Sequence, residues 1–354
     1  MRRKCRVVRV GNVPIGGNNP VAIQSMTKTR TADTEKTVRQ IMSLQKAGCQ
    51  IVRLAINDFN DAAALKKIRA RVKLPLVADI HFDWRLAIAA IESGADKIRL
   101  NPGNIDKIED IKTVVSALKS ADIPLRIGLN SGSVKGAGLK RSTMSDRLVT
   151  SCMGYVRMVE RLKFNNIVIS LKANNVRDTL DAYRKVSRIC DYPLHLGLTA
   201  TGSVYAGIIK SSIALGALLL EGIGDTIRVS LTEEPTEEVR AAKCILESVG
   251  LRSFGHQVVS CPTCGRCRVN LVKMVKELED RLPVLGPGMN VRPMKLAIMG
   301  CVVNGPGEAR EADIGVAFGR GQGVLFRHGK IIRKVAPGDC VREVLKELKN
   351  KEKT

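Results

Sequence analysis

The chain alternates short apolar runs with amphipathic segments eight times between residues 21 and 250, and this repetition narrows the folds open to it. The runs have the length and β-branched character of strands, whereas the segments between them carry apolar residues at helical spacing. Val38, Ile41 and Met42 show that spacing in one segment. The eight predicted strands are Val21–Met26, Ile51–Ile56, Leu76–His81, Lys97–Asn101, Leu125–Asn130, Ile167–Lys172, Leu194–Thr199 and Thr226–Leu231.

Eight strand–helix units within about 230 residues predict a TIM-type (β/α)8 barrel. Pro75, Pro124 and Pro193 each stand just before a strand, where a proline ends the preceding helix. An open doubly wound sheet is the alternative, but its usual phosphate turn, Gly-x-Gly-x-x-Gly, does not follow the first strand. We therefore expect an α/β fold with the barrel over residues 1–250.

The pattern changes after Gly250. A short connector leads to a group of cysteines, and a helix is predicted at about 269–282. Strands at 294–299, 314–318, 323–327 and 331–335 follow, with a last helix near 341–349. We expect a small α+β domain over residues 251–354.

Composition limits the partners of the chain. The net charge of +24 over 354 residues favours anions, but only 3% of the residues are aromatic, which leaves little for base stacking. The N-terminus has no apolar signal segment, and no apolar run reaches the roughly 18 residues of a membrane span. We expect a cytoplasmic protein with reduced cysteines and with neither nucleic acid nor membrane as a partner.

Polar residues recur at or near the carboxyl ends of the predicted strands, where a barrel carries its active site. An arginine inside an apolar strand is costly unless it is paired, and several cations at one mouth would repel one another without an anion. These residues therefore predict a site for a polyanion, a diphosphate in particular. The alternative is that the arginines pair with barrel carboxylates or face solvent. The candidates are Arg53, Asp79, His81, Arg99, Asn101, Arg126, Asn130, Lys172 and Arg228.

The second domain carries closely spaced cysteines that indicate a metal site. Cys261, Cys264 and Cys267 match the first three ligands of a bacterial ferredoxin run, and Cys301 is a distant fourth candidate. A four-cysteine zinc site is the alternative, because spacing alone does not separate zinc from iron–sulfur. On spacing, Cys267 is either a ligand or a bystander.

Six segments, in order along nearly the whole chain, match the motifs of one family. They are residues 24–27 (Gln-Ser-Met-Thr), 78–82 (Ala-Asp-Ile-His-Phe), 99–104 (Arg-Leu-Asn-Pro-Gly-Asn), 221–231 (Glu-Gly-Ile-Gly-Asp-Thr-Ile-Arg-Val-Ser-Leu), 261–264 (Cys-Pro-Thr-Cys) and 300–308 (Gly-Cys-Val-Val-Asn-Gly-Pro-Gly-Glu). On these segments the chain resembles the 4-hydroxy-3-methylbut-2-en-1-yl diphosphate synthases of the non-mevalonate isoprenoid pathway, in their bacterial two-domain form.

The resemblance implies a TIM-type barrel followed by a domain with a [4Fe–4S] cluster. By motif the cluster ligands are Cys261, Cys264, Cys301 and Glu308, so Cys267 is not one of them. A carboxylate is a more exchangeable iron ligand than a thiolate. The iron beside Glu308 can therefore open to a substrate oxygen and act as a Lewis acid, which makes Glu308 the expected catalytic ligand.

The resemblance also implies the reaction and the partners. The reaction is the two-electron reductive ring opening of 2-C-methyl-D-erythritol 2,4-cyclodiphosphate, with loss of water, and ferredoxin or flavodoxin supplies the electrons. The strand-end residues other than Arg228 match the substrate contacts of the family, and Arg266 would close on the anion from the cluster side. The family forms homodimers in which the cluster domain of one subunit caps the barrel of its partner, and the sequence does not distinguish this from capping within one chain.

One position departs from the family pattern. Many members carry a glutamate, thought to act in catalysis, where this chain has Ala200. Either this lineage dispenses with the carboxylate, or Glu233 or Glu234 beyond the eighth strand supplies it.

Two other functions compete with the reductase. One is a zinc-dependent hydrolase or aldolase-like barrel that acts on a phosphorylated sugar. The other is a basic nucleic-acid binder with a structural zinc ribbon.

Overall fold

The structure is a computed structural model that describes residues 2–134, 142–199, 201–282 and 292–351. It divides into two compact units, Met1–Arg252 and Ser253–Thr354. Across the described residues, no helix combines the length and the apolar character that crossing a membrane requires.

The first unit opens with a hairpin that the sequence pattern did not predict. Strands β1 (Val8–Val10) and β2 (Val13–Ile15) are antiparallel. Their buried side chains, with those of Ala22, Ile51 and Val77, form an apolar cluster. Because these last three residues lie at or near the amino ends of barrel strands, the hairpin packs at the end of the barrel opposite the predicted site.

Eight parallel strands form the barrel, as predicted. Their order in the sheet is β8-β7-β6-β5-β4-β3-β10-β9, and a parallel bridge between Ile169 and Leu194 links its two ends. Strands buried on both faces are mostly apolar, which explains why the pattern located them. The strands are β3 (Ala22–Met26), β4 (Ile51–Ala55), β5 (Leu76–Ile80), β6 (Lys97–Leu100), β7 (Leu125–Asn130), β8 (Ile167–Lys172), β9 (His195–Leu196) and β10 (Thr226–Ile227).

The seventh and eighth strands are shorter than predicted, because β9 ends at Leu196 and β10 ends at Ile227. Pairing of β9 stops before Gly197, where a β-carbon would lie 2.9 Å from the carbonyl oxygen of Arg228 and 2.6 Å from Nζ of Lys172. Residues 198, 199, 228 and 230 line a cavity instead of continuing the ladder.

Eight helices in the described residues alternate with the strands. Their ends follow ordinary capping chemistry: the Asp33 side chain accepts a hydrogen bond from the Lys36 amide, and Gly48 ends the same helix in the left-handed conformation. The helices are α1 (Thr34–Ala47), α2 (Phe59–Arg69), α3 (Trp84–Glu92), α4 (Ile108–Ala121), α5 (Met144–Arg161), α6 (Val176–Ile189), α7 (Val204–Leu220) and α8 (Pro235–Ser248).

The second unit is a five-stranded sheet with helices. Strands β11, β12 and β13 are parallel, and β14 and β15 continue the sheet antiparallel. Its core includes Leu278, Leu296, Val316 and Val344. The elements are β11 (Gln257–Ser260), α9 (Leu271–Arg281), β12 (Lys295–Met299), α10 (Gly305–Arg310), β13 (Ile314–Phe318), β14 (Gly323–Arg327), β15 (Lys330–Val335) and α11 (Cys340–Lys351).

Candidate functional site

A cavity of about 230 Å³ lies at the carboxyl ends of the barrel strands. Side chains two residues apart on a strand point to the same face, which lets inward-facing residues of several strands meet here. Four cationic side chains and one carboxylate line it. The lining residues are Arg53, Asp79, His81, Arg99, Asn130, Ser170, Lys172, Leu198, Thr199, Arg228 and Ser230.

Asp79 is the anionic centre of the cavity wall. Its Oδ1 lies 3.0 Å from Nη1 of Arg99, and its Oδ2 lies 3.6 Å from Nε of Arg53 and 3.6 Å from Nε2 of His81. Burial alone would raise the pKa of Asp79, but the charges of Arg53 and Arg99 and the His81 hydrogen bond hold it well below its usual value. Asp79 therefore stays ionised and fixes the two arginines.

The cations of the cavity outnumber that carboxylate, and the pKa values of two of them are lowered. Burial, together with the charges of Arg53 and Arg228, lowers the pKa of Lys172 well below its usual value. Burial also lowers the pKa of Arg53 to about 10, against the opposing effect of Asp79. The cavity is thus a buried site of positive potential that an anion would relieve.

Two glycines make room for the long cationic side chains. A β-carbon on Gly128 would lie 2.8 Å from Nε of Arg99 and 2.9 Å from Oγ of Ser170. Arg99 also donates a hydrogen bond to the carbonyl oxygen of Gly128, at 3.0 Å. Gly197 leaves the matching space beside Lys172. The strands therefore carry small residues where the charged side chains cross the barrel interior.

Two of the predicted strand-end residues do not line the cavity. Asn101 is buried, and its Oδ1 accepts hydrogen bonds from the Gly103 amide and the Ser133 hydroxyl, so it holds the turn after β6. Arg126 is completely buried, with Nη1 3.5 Å from Oε1 of Gln24. Its Nε and Nη2 have no hydrogen-bond partner in the described residues.

Sequence reasoning missed Ser170, Leu198, Thr199 and Ser230 in the cavity wall. The signal was available for the two serines, because Ser170 stands two residues before Lys172 and Ser230 two residues after Arg228. Period-two spacing therefore places each serine on the same face as its charged neighbour.

Cys261 and Cys301 lie at one edge of the sheet of the second unit. Cys261 directly follows β11, and Cys301 follows β12 by two residues. The two strands are parallel neighbours, with Ser260 paired to Ile298, so both cysteines emerge at the same edge. The Gly300 amide donates to Sγ of Cys261 at 3.3 Å, which joins the two loops.

Cys267 also lies at this edge. A β-carbon on Gly300 would lie 2.3 Å from Sγ of Cys267 and 3.6 Å from Sγ of Cys261, so both thiols pack around that glycine. Cys264 and Glu308 are exposed. In the part of the chain that the structure describes, no three Cys, His, Asp or Glu side chains are arranged to hold a metal ion.

The edge nevertheless favours thiolate at one position. Hydrogen bonds from the backbone of Val303 and Asn304, together with the charge of Arg266, lower the pKa of Cys301. Arg266 is exposed, and it acts on this edge through the effect of its charge on Cys301. The donor set at the edge, with three thiols from two adjacent loops and a carboxylate on α10, has the chemistry that an iron–sulfur cluster requires.

The proposed substitutes for the missing glutamate lie outside the cavity wall. Ala200 itself is outside the described residues. Glu233 is exposed, and its Oε1 accepts a hydrogen bond from the Glu234 amide. Neither residue is among those that line the cavity.

The fold and the cavity together define a class: a TIM-type barrel with a cationic cavity at the carboxyl ends of its strands, followed by a domain with cysteines at one sheet edge. Crystal structures of dihydropteroate synthase from Stenotrophomonas maltophilia and of type I 3-dehydroquinate dehydratase from Clostridium difficile match the barrel. Their TM-scores are 0.53 and 0.52, at 12% and 15% identity, and they cover 70% and 69% of this chain and 99% and 98% of their own. These likenesses establish the fold alone.

Family models identify the chain more closely. Residues 5–243 match the GcpE TIM-barrel domain, and residues 257–350 match the GcpE protein C-terminal domain. The chain is 51% identical over 357 residues to the 4-hydroxy-3-methylbut-2-en-1-yl diphosphate synthase (flavodoxin) of Fusobacterium nucleatum, covering 99% of each. It is 51% identical over 347 residues to the enzyme of that name in Clostridium perfringens, covering 98% of each. The chain belongs to this family.

Proposed function

We propose that the protein is a reductase that converts 2-C-methyl-D-erythritol 2,4-cyclodiphosphate to 4-hydroxy-3-methylbut-2-enyl diphosphate. Two electrons and two protons enter, one carbon–oxygen bond of the ring and one carbon–hydroxyl bond break, a carbon–carbon double bond forms, and one water leaves. The product is the one that the names of the relatives state. The observation that carries it within this chain is the buried cavity in which four cations face a single carboxylate.

The barrel residues bind and orient the diphosphate. Arg53, Arg99, Lys172 and Arg228 offer charge-assisted hydrogen bonds to its oxygens, and the ionised Asp79 keeps Arg53 and Arg99 in place. The imidazole of His81, with Nε2 3.0 Å from Nη1 of Arg99, stands at the same wall. We propose that Asn101 and Arg126 contribute from outside the wall, Asn101 by holding its turn and Arg126 by its buried charge.

We propose a [4Fe–4S] cluster at the cysteine edge, held by Cys261, Cys264, Cys301 and Glu308. The lowered pKa of Cys301 and the emergence of both cysteine loops at one edge support this ligand set. When bound, the cluster supplies the electrons and a Lewis-acidic iron. Arg266 adds positive charge beside the ligands.

The electron donor and the assembly belong to the same proposal. Flavodoxin is the donor in the names of the relatives, and we propose flavodoxin or ferredoxin for this chain. We also propose a homodimer, as the resemblance implies, which light scattering on the purified protein would test. Glu233 or Glu234 remains our candidate for the carboxylate absent at position 200, and full turnover by both alanine variants would remove both.

An iron and sulfide assay on anaerobically purified protein, followed by turnover with reduced flavodoxin, tests the function. We expect a brown protein with about four iron and four sulfide per chain, as four cluster ligands require. Colourless protein with one zinc would favour the hydrolase or aldolase. Strongly salt-dependent RNA binding without turnover of the cyclodiphosphate would favour the nucleic-acid binder.

A further inference from the structure

Glu238 is a buried carboxylate that lies outside the cavity wall. It stands in the first turn of α8, and only 1% of its surface is exposed. A buried carboxylate is costly unless several donors satisfy it. The donors that surround Glu238 therefore indicate what its charge is used for.

Both carboxylate oxygens have partners at the carboxyl ends of two barrel strands. Oε2 accepts a hydrogen bond from the Ser25 hydroxyl at 3.1 Å and lies 3.4 Å from Nε of Arg228. Oε1 accepts from the Leu231 amide at 3.1 Å and lies 3.3 Å from Nζ of Lys28. One side chain thus joins β3, the residues that follow β10, and α8.

Lys28 completes the same arrangement. Its Nζ also donates to the carbonyl oxygen of Leu231 at 2.7 Å and to that of Glu233. Since β3 and β10 are paired neighbours in the barrel, with Ala22 opposite Thr226, the two residues together fix the loop that leaves β10.

Arg228 is the member of this group that lines the cavity. The guanidinium of Arg228 repels that of Arg53, and this repulsion is one of the effects that lower the pKa of Arg53. Without an opposing charge, Arg228 would be driven away from the wall. The carboxylate of Glu238 supplies such a charge, with Oε2 3.4 Å from Nε of Arg228.

We propose that Glu238 is a positioning residue that holds Arg228 in place for the diphosphate, an inference that rests on the proposed function. Its negative charge counteracts the repulsion among the cavity cations without occupying the cavity. The part that Glu238 plays in substrate binding is therefore exerted through Arg228.

The test compares Glu238→Gln with Glu237→Gln. Glu237 is the neighbouring residue on α8, and its carboxylate pairs with Arg240 at the surface. For Glu238→Gln we expect the KM for the cyclodiphosphate to rise at least about tenfold, with a smaller change in kcat, because a charge-assisted contact to substrate is misplaced. Glu238→Asp, which keeps the charge, should recover part of the loss, and Glu237→Gln should match the unmodified protein. An unchanged KM in soluble, folded Glu238→Gln would overturn the proposal.

A double-variant cycle separates positioning from a general structural role. In an Arg228→Met background, Glu238→Gln should raise KM by less than about twofold, because the residue through which it acts is gone. Equal effects of Glu238→Gln with and without Arg228 would contradict the inference.

Calorimetric binding of inorganic pyrophosphate separates this inference from the proposed function. If the unmodified protein binds pyrophosphate but does not turn over the cyclodiphosphate, the proposed function fails. The role of Glu238 is then decided by the Kd for pyrophosphate, compared between Glu238→Gln and Glu237→Gln and between Glu238→Gln with and without Arg228→Met. If it neither binds pyrophosphate nor turns over the cyclodiphosphate, both proposals fail.

Discussion

Most of the charged side chains of the barrel cavity are buried, whereas two of the four proposed cluster ligands stand exposed at the sheet edge of the second unit. Asp79, Arg99 and Lys172 are each less than a tenth exposed. Cys264 and Glu308 are exposed instead. The difference indicates that the folded barrel by itself fixes the residues of the proposed diphosphate site, whereas the proposed cluster would have to draw its ligands together.

The largest expected effect is at the cysteine edge. Cys301→Ala should lose the cluster and lower turnover by more than about 100-fold, because loss of an outer-sphere partner alone costs 10- to 100-fold at a metal site. Iron content and turnover are the measurements, with circular dichroism to check the fold. Cys267→Ser is the matched control from the same edge and should keep its iron. Iron loss in the control, or normal iron in Cys301→Ala, would reverse the ligand assignment.

The second prediction concerns the anionic centre of the cavity. Asp79→Asn leaves Arg53 and Arg99 without their shared counter-charge and should lower the free energy of unfolding by about 3–5 kcal/mol. Because the folded pKa of Asp79 lies well below its unfolded value of about 3.9, this stabilisation is complete above that pH and is lost as the pH falls through the lowered pKa. Denaturant titrations of both proteins across the acid range should converge. A variant as stable as the parent at neutral pH would show that Asp79 does not organise the wall.

The third prediction sets stability against function. Lys172→Met removes a buried cation whose strongest charged neighbours are arginines, so the protein should gain about 1 kcal/mol of stability while turnover falls about 10- to 100-fold. The folded pKa of Lys172 is below its unfolded value of about 10.4, so the charge costs most at low pH and nothing above that value. The gain in stability should therefore shrink as the pH rises toward 10. If the variant is less stable than the parent at neutral pH, the claim that repulsion among the cavity cations destabilises the protein is wrong.

The smallest expected effect tests the space left for Arg99. Gly128→Ala places a β-carbon 2.8 Å from Nε of Arg99, so the guanidinium must shift. A rotamer strain of about 1 kcal/mol corresponds to a fall of about fivefold in kcat/KM. Gly132→Ala, with no atom within 4 Å of the added carbon, is the control. Equal kcat/KM values for the two variants would show that the space beside Arg99 does not affect function.

The barrel was predictable because its strands are short, mostly apolar runs that helices separate, and because Pro75, Pro124 and Pro193 each precede one of them. The hairpin β1–β2 was missed because each strand has only three residues and β2 contains Pro14. Helix α10 was missed because its sequence, Gly-Pro-Gly-Glu-Ala-Arg, is rich in residues that disfavour helices.

The sequence predicted which strand-end residues belong to the candidate site, but not how deeply each side chain is buried. Alternation indicates that Arg126 and Arg99 both leave their strands at inward positions, yet Arg126 lies buried beside Gln24 while Arg99 reaches the cavity. Glu238 could not be inferred because a helix, not a strand, brings it to the barrel end. Such differences depend on packing, which periodicity does not encode.

Calorimetric binding of the cyclodiphosphate to iron-free protein tests the central claim most directly. If the barrel cavity is built without the cluster, iron-free protein should bind the cyclodiphosphate with a Kd within about tenfold of the cluster-loaded protein, and Lys172→Met should weaken binding by at least about tenfold. Binding by the cluster-loaded protein alone, or equal binding by the Lys172→Met variant, would contradict the account.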